Sequence, residues 1–340
     1  MIKPTLTICM PSYGRLKNAQ RTVHALLLQL HLYNAQLIVL DNASTEDYAG
    51  AFAKDIKFAA AIECGKLTVI RNASNIGMSA NFLRAFEIAE GDWLWLVSDD
   101  DEIRFDALTR VHTAIERYGA KNGFIKFSSP RSLPIGDCDE LGSLEAFIDF
   151  NSRSVDDFNS FIFISNGIYR LRNFRPLLNV GYGNLHTFVP HFLMLTAYMA
   201  QGQKIVVLND IIVDYIVPEI GYSYGVVAGL GVGAPKHMML KLTDDYYRRF
   251  LALFFPHNDY KVIIDLYFNC KRDASTAVCL HLVDDYLHFV CVARQWWNMM
   301  FLYAFSTLVR FPYIFEWLIG RIEVRSELYK KHINEVKRRY

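Results

Sequence analysis

Asp99, Asp100 and Asp101 stand side by side where an apolar run, Trp93-Leu94-Trp95-Leu96-Val97, gives way to Ser98. Adjacent carboxylates repel one another and resist burial, so three of them at the tip of a buried strand imply a use for a cation, and a divalent metal is the natural one. Two other polar clusters also follow short apolar runs. Pro11-Ser12-Tyr13-Gly14-Arg15 comes after residues 6–10, and Asp41-Asn42-Ala43-Ser44 comes after residues 36–40. Pro11 fixes a turn that leaves Tyr13 free to stack on a base or ribose and Arg15 free to meet phosphate. Asp41 can accept a hydrogen bond from a base N–H. The same four residues also read as an ordinary helix-start turn with Ser44 as N-cap. A third loop, Arg71-Asn72-Ala73-Ser74-Asn75-Ile76-Gly77, ends on a glycine that permits a positive φ or a close ligand approach. Arg84, one helix further on, either reaches a diphosphate or lies on a solvated face.

These clusters need a scaffold that brings them together. Apolar runs of strand length at 6–10, 36–40, 67–70 and 93–97 alternate with helix-length segments at 16–30, 45–62 and 78–89. That alternation predicts crossover units on a parallel sheet, hence an α/β, doubly wound domain. In such sheets ligands bind beyond the carboxyl ends of the strands, and all three polar clusters sit there.

A second portion begins near residues 131–136, with a strand expected at 161–165, a helix at 189–200 and another strand at 204–208, supplying the other wall of the cleft. Residues 221–235 are rich in glycine and read as a linker or a lid. From 236 to 340 the pattern is helical. The stretch 296–319 is apolar and aromatic, yet Arg310, Pro312 and Glu316 interrupt it, whereas a spanning helix needs ~20 nearly uncharged residues. A helix pair on a surface is the expectation. The tail turns basic with Arg321, Arg325, Lys330, Lys331, Lys337, Arg338 and Arg339, a pattern of interfacial membrane attachment as well as of a solvated helical cap.

Composition bounds the function classes. An apolar share of 52% over 340 residues supports a sizeable core and excludes a disordered chain. A net charge of +1 gives no electrostatic case for wrapping nucleic acid. The six cysteines lack the short paired spacings of zinc or redox motifs, so they read as free thiols. The first residues run straight into a strand without the features of a signal peptide, and a cytoplasmic protein is expected, with peripheral attachment to the inner face of the cell membrane open to it.

In this order and spacing, Met10 to Arg15, Asp41 to Thr45, Asn75-Ile76-Gly77 with Asn81, Gly91-Asp92 and Asp99 to Asp101 resemble the nucleotide-sugar-binding half of family 2 glycosyltransferases with the GT-A fold. The likeness is specific over about the first 130 residues and looser to about 215. It implies a GT-A domain at 1–220, whose first 130 residues bind the sugar nucleotide and whose remainder binds the acceptor. It further implies that Asp41 contacts the base, that Asp99 and Asp101 form the D-x-D pair for Mn²⁺ or Mg²⁺, and that Asp99 and Asp100 lie against the donor. Family members invert the anomeric centre, which calls for a general base at the start of a helix in the second half. The matching stretch, 185–193, holds no carboxylate pair. His191 and then His186 are the candidates for the base, since a neutral imidazole takes a proton near pH 7; either is equally readable as structural, and Asp156 and Asp157 are fallback carboxylates. The Ser98 to Asp101 ending resembles enzymes of bacterial surface polysaccharide assembly, abequosyltransferase-like proteins of O-antigen synthesis among them. The expected chemistry is single addition of a sugar from a nucleoside diphosphate sugar to a glycan or lipid-linked acceptor. The rivals are a GT-A module that binds a sugar nucleotide or glycan without turnover and a sugar-phosphate nucleotidyltransferase, whose glycine-rich basic loop is missing at Pro11 to Arg15.

Overall fold

The computed structural model describes residues 3–214 and, beyond them, 233–234, 242–254, 307–308, 310–311, 313–314 and 317. The chain divides into two compact units, Met1–Ile220 and Gly221–Tyr340.

In the first unit the opening strands are β1 (Leu6–Ser12), β2 (Ala35–Asp41), β3 (Leu67–Arg71) and β4 (Trp93–Leu96). β1 is buried along its whole length, as a central parallel strand covered on both faces requires. Between them run α1 (Leu16–Leu30), α2 (Tyr48–Lys54), α3 (Ile56–Glu63) and α4 (Met78–Ile88). α1 is amphipathic, with Ala19, Val23, Leu26 and Leu30 recurring at helical spacing on its buried side. The segment 45–62, expected as one helix, is two. Asp55 adopts an extended conformation, ends α2, and accepts a hydrogen bond from Lys57 N–H as the cap of α3.

After β4 come the short β5 (Glu102–Ile103), α5 (Ala107–Tyr118), β6 (Phe124–Phe127), β7 (Cys138–Leu141), α6 (Leu144–Asn151), α7 (Val155–Ile162), β8 (Gly167–Arg170), α8 (Leu171–Phe174), α9 (Leu178–Gly183), α10 (Pro190–Met199), β9 (Ile205–Leu208) and β10 (Val213–Asp214). The strand expected at 161–165 is the end of α7 followed by a single 3₁₀ turn, Ile164–Asn166, and the strand itself starts at Gly167. Ser154, whose hydroxyl accepts from Asp156 N–H, and the acidic pair Asp156-Asp157 in the first turn start a helix there, and its apolar side continues through Phe158 and Phe161.

One eight-stranded sheet has the order β3-β2-β1-β4-β8-β6-β9-β7, and β5 pairs with β10 separately. The pairs β3–β2, β2–β1, β1–β4 and β6–β9 are parallel; β4–β8, β8–β6 and β9–β7 are antiparallel. The sheet is mixed and mainly parallel, its four opening strands parallel as the crossover units predict. Since β8 runs against both β4 and β6, the carboxyl ends of β1, β2, β3, β4 and β6 and the amino end of β8 share one edge.

In the second unit, Asp244–Phe254 is a helix that buries Phe250 and Leu251. The glycine-rich segment 221–235 falls outside the described residues except for Gly233 and Ala234, as does most of 296–340. Phe311, Tyr313, Ile314 and Trp317 are exposed. Among the described residues no helix is long and apolar enough to cross a membrane.

Candidate active site

The shared edge is wired together by side chains. Ser12, the last residue of β1, donates its hydroxyl hydrogen to Asp99 Oδ2 at 2.6 Å. Its Oγ lies 2.8 Å from the Tyr48 hydroxyl, which in turn accepts from Arg15 N–H at 3.0 Å. Because Ser12 has one hydrogen and gives it to Asp99, Tyr48 must donate to Ser12, which makes a directed chain from the β1 loop to the aspartates. Gly14, at φ +65°, turns the loop so that its N–H reaches Ser44 Oγ at 2.9 Å. Tyr13 projects from this turn half exposed.

Asp41 ends β2 and has no exposed surface. Its Oδ1 accepts from Ser44 N–H at 2.9 Å, and its Oδ2 meets Arg71 Nη1 of β3 at 2.5 Å. Arg71 also donates to the Ser44 carbonyl at 2.7 Å. Ser44 is therefore a hub between two loops, not the expected N-cap, which Asp47 supplies through Gly50 N–H. Asn42 fixes the neighbouring loop: its Nδ2 donates to Asn75 Oδ1 at 2.8 Å, and its Oδ1 accepts from Asn72 and from Ile76 N–H. Asn75 also accepts from the N–H of Gly77, which sits at φ +84° just before α4. Pro11 lies buried within β1. Arg84 pairs with Glu87 at 2.6 Å, and Tyr182 donates to the same carboxylate.

Asp99 and Asp101 are 1% and 7% exposed, and burial pushes each carboxyl up to about 6. Asp100 turns outward, accepting from Arg15 Nη1 at 2.6 Å and from the Ser98 hydroxyl. The same Arg15 nitrogen stands 3.2 Å from Asp99 Oδ1, a buried oxygen with no hydrogen-bond partner. An orphaned carboxylate oxygen beside a second buried carboxylate suits a hard cation that prefers oxygen. No three metal-ligating side chains converge among the described residues, so a cation held by Asp99 and Asp101 would need further ligands from a bound molecule.

Both candidate bases lie in the second half. His186 is exposed in the turn Leu185–Thr187, and Phe188, at φ +63°, redirects the chain into α10. His191 is 1% exposed, with Nε2 2.9 Å from the Ile162 carbonyl and its ring edge-on to Phe82. That bond assigns the proton to Nε2 and leaves Nδ1 as a buried acceptor without a partner. Burial lowers its pKa to about 4. The unfolded chain binds a proton below about 6.5 that the folded one refuses until about 4, so stability falls as pH drops through this window. Wild type is expected to lose roughly 3 kcal/mol relative to His191→Gln between pH 6.5 and 4, measured by urea unfolding at each pH. Parallel curves for the two proteins would show that His191 is not buried neutral. Asp157 is buried, accepting from Leu133 N–H and paired with Arg153 at 3.3 Å, and Asp156 sits in the first turn of α7.

Sequence reasoning missed Tyr48 and the partners of Ser12 and Asn42: Tyr48 and Ser12 tie the β1 loop to Asp99, and Asn42 fixes the Asn75 loop. Ser12 ends β1 and Asn42 follows β2, where burial demands partners, whereas Tyr48 opens α2 without such a signal.

Residues 7–129 match the model of Glycosyl transferase family 2. The abequosyltransferase of Salmonella typhimurium is 24% identical over 115 residues, which cover 33% of this chain and 32% of that protein, so the match spans about a third of the relative's length. Among solved structures, TarS residues 1–349 of S. aureus with UDP-GlcNAc superposes at a TM-score of 0.57 and 14% identity, covering 85% of this chain and 82% of that one. The mannosyltransferase PcManGT of Pyrobaculum calidifontis with GDP-Man and Mn²⁺ gives 0.53 at 12% identity, covering 93% and 84%. Strand order and the family match agree: residues 7–129 match glycosyl transferase family 2, within an α/β unit that has the fold of GT-A glycosyltransferases.

Proposed function

We propose that the protein is an inverting glycosyltransferase that moves one sugar from a nucleoside diphosphate sugar to a hydroxyl of a glycan or lipid-linked acceptor, in bacterial surface polysaccharide assembly. The observation that carries this reading is the Ser12–Asp99 hydrogen bond, which joins the β1 loop to the aspartate run at one sheet edge. Tyr13 stacks on the base or ribose of the donor, Asp41 reads a base N–H with the oxygen that Arg71 holds in the free protein, and Asn75 and Gly77 shape the loop beside it. Arg15 leaves the carboxylates to meet the diphosphate, with Asp100 as its resting partner. Asp99 and Asp101 hold Mn²⁺ or Mg²⁺, which when bound neutralises charge on the departing nucleoside diphosphate. Two proteins of the same fold, TarS with UDP-GlcNAc and PcManGT with GDP-Man and Mn²⁺, support a donor of this class.

On the acceptor side the exposed His186 takes the hydroxyl proton, and the buried His191 secures the start of α10 through Ile162. The exposed Phe311, Tyr313, Ile314 and Trp317, beside the basic tail in sequence, favour attachment of the second unit to the inner face of the cell membrane. Incubation with sugar nucleotides, Mn²⁺ and a lipid-linked saccharide should release nucleoside diphosphate and give a product of inverted anomeric configuration by NMR. His186→Ala should lower kcat by about 10²–10⁴ without changing donor KM. Retained configuration, or full turnover in His186→Ala, would contradict this assignment.

A further inference from the structure

β8 belongs to the acceptor-binding half but lies beside β4 in antiparallel register, Trp95 opposite Ile168. The residues just before β8 therefore sit next to the aspartate turn that follows β4. Ser165 there is 1% exposed and makes two hydrogen bonds across the gap. Its carbonyl accepts from Trp95 Nε1 at 2.8 Å, and its Oγ accepts from Ser98 N–H at 2.9 Å. One residue thus fixes the end of β4 and the backbone at the start of the aspartate turn.

The segment carrying Ser165 is itself anchored. Lys126 of β6, buried, donates to Ser160 Oγ at 2.6 Å and to the Phe127 carbonyl. Gly167 admits the Phe124 ring so closely that a Cβ there would stand 2.4 Å from Phe124 Cζ. The 160–167 segment cannot drift without breaking these contacts.

We infer that Ser165 is a positioning residue, through which the acceptor-binding half holds the Asp99 to Asp101 turn in place for the cation of the donor site. This rests on the donor-site reading above. A contact that fixes the turn carrying metal-ligating carboxylates fixes their orientation, and loss of such outer contacts typically weakens metal affinity 10–100-fold.

The test uses the full chain, wild type and Ser165→Ala, a truncation small enough to keep the fold. Three quantities are read: Mn²⁺ affinity by electron paramagnetic resonance, nucleoside diphosphate affinity in chelator, and hydrogen exchange at the Ser98 amide. The inference expects Mn²⁺ Kd to rise at least about tenfold, Ser98 protection to fall, and metal-free nucleotide affinity to hold within twofold. A Mn²⁺ Kd within twofold of wild type overturns it. So does a parallel loss of both affinities, which marks general loosening of the unit. A wild type that binds nucleotide but no Mn²⁺, or neither, overturns the donor-site reading and this inference together, and is told apart because the wild-type titration is itself flat.

Discussion

Asp101→Asn is expected to lower sugar transfer at saturating donor and Mn²⁺ by about a hundredfold or more, and at the same time to stabilise the metal-free protein at pH 7.5. The first effect follows from losing a cation ligand where several kcal/mol of leaving-group charge must be neutralised. The second follows from burial, which raises the carboxyl to about 6 against an ordinary 3.8. The folded state keeps its proton up to about pH 6, whereas the unfolded chain releases it near 3.8. Stability present at low pH is therefore lost as pH rises through 6, and at pH 7.5 the ionised side chain costs roughly 1–3 kcal/mol. Asparagine keeps the shape without the charge. Calorimetry in chelator should show a melting temperature several degrees above wild type, beside a transfer assay showing the loss. Turnover above a tenth of wild type would remove Asp101 from the cation site, and an unchanged melting temperature would deny the burial cost.

The second large effect belongs to Asp41→Ala. Both Asp41 oxygens are engaged, one by Ser44 N–H and one by Arg71, so truncation releases the β2 and β3 loops from each other. Breaking a buried pair costs about 3–5 kcal/mol when the orphaned charge stays buried. The Arg71 side chain is half exposed and can turn to water, so about 2 kcal/mol is the expectation, read from urea unfolding. Nucleoside diphosphate affinity should fall more than about tenfold, since the loop carrying the base contact is no longer held. Asp41→Asn, which keeps the acceptor for Ser44 N–H, should recover much of the stability but not the affinity. Unchanged nucleotide binding in Asp41→Ala would leave Asp41 a turn residue and nothing more.

The first half of the fold was legible because its signals are local. Apolar runs bounded by Pro11, Asp41 and the Asp99 to Asp101 cluster marked strand ends, and the strands at 6–12, 35–41, 67–71 and 93–96 extend the expected runs or stop one residue short. The second half was less legible. Phe161 to Ser165 has the composition of a strand, yet capping at Ser154 and the acidic first turn of α7 decide for a helix. Periodicity cannot separate a short buried helix from a buried strand. In the site, charged residues announced themselves by type, whereas Ser12, Tyr48 and Ser165 matter through partners 36 to 87 positions away that only the folded chain brings near. His191 shows the reverse limit: its residue type suits a base, and its burial beneath the Ile162 carbonyl is invisible in the sequence.

The central claim, that this sheet edge is a metal-assisted sugar-nucleotide site, is tested most directly by isothermal titration calorimetry of the full chain. Uridine, guanosine, cytidine and thymidine diphosphates would each be titrated with and without Mn²⁺. The account predicts that one of them binds, that Mn²⁺ tightens its binding about tenfold or more, and that Asp101→Asn abolishes the tightening while leaving the metal-free affinity in place. Absence of binding by all four in the presence of Mn²⁺ would contradict it.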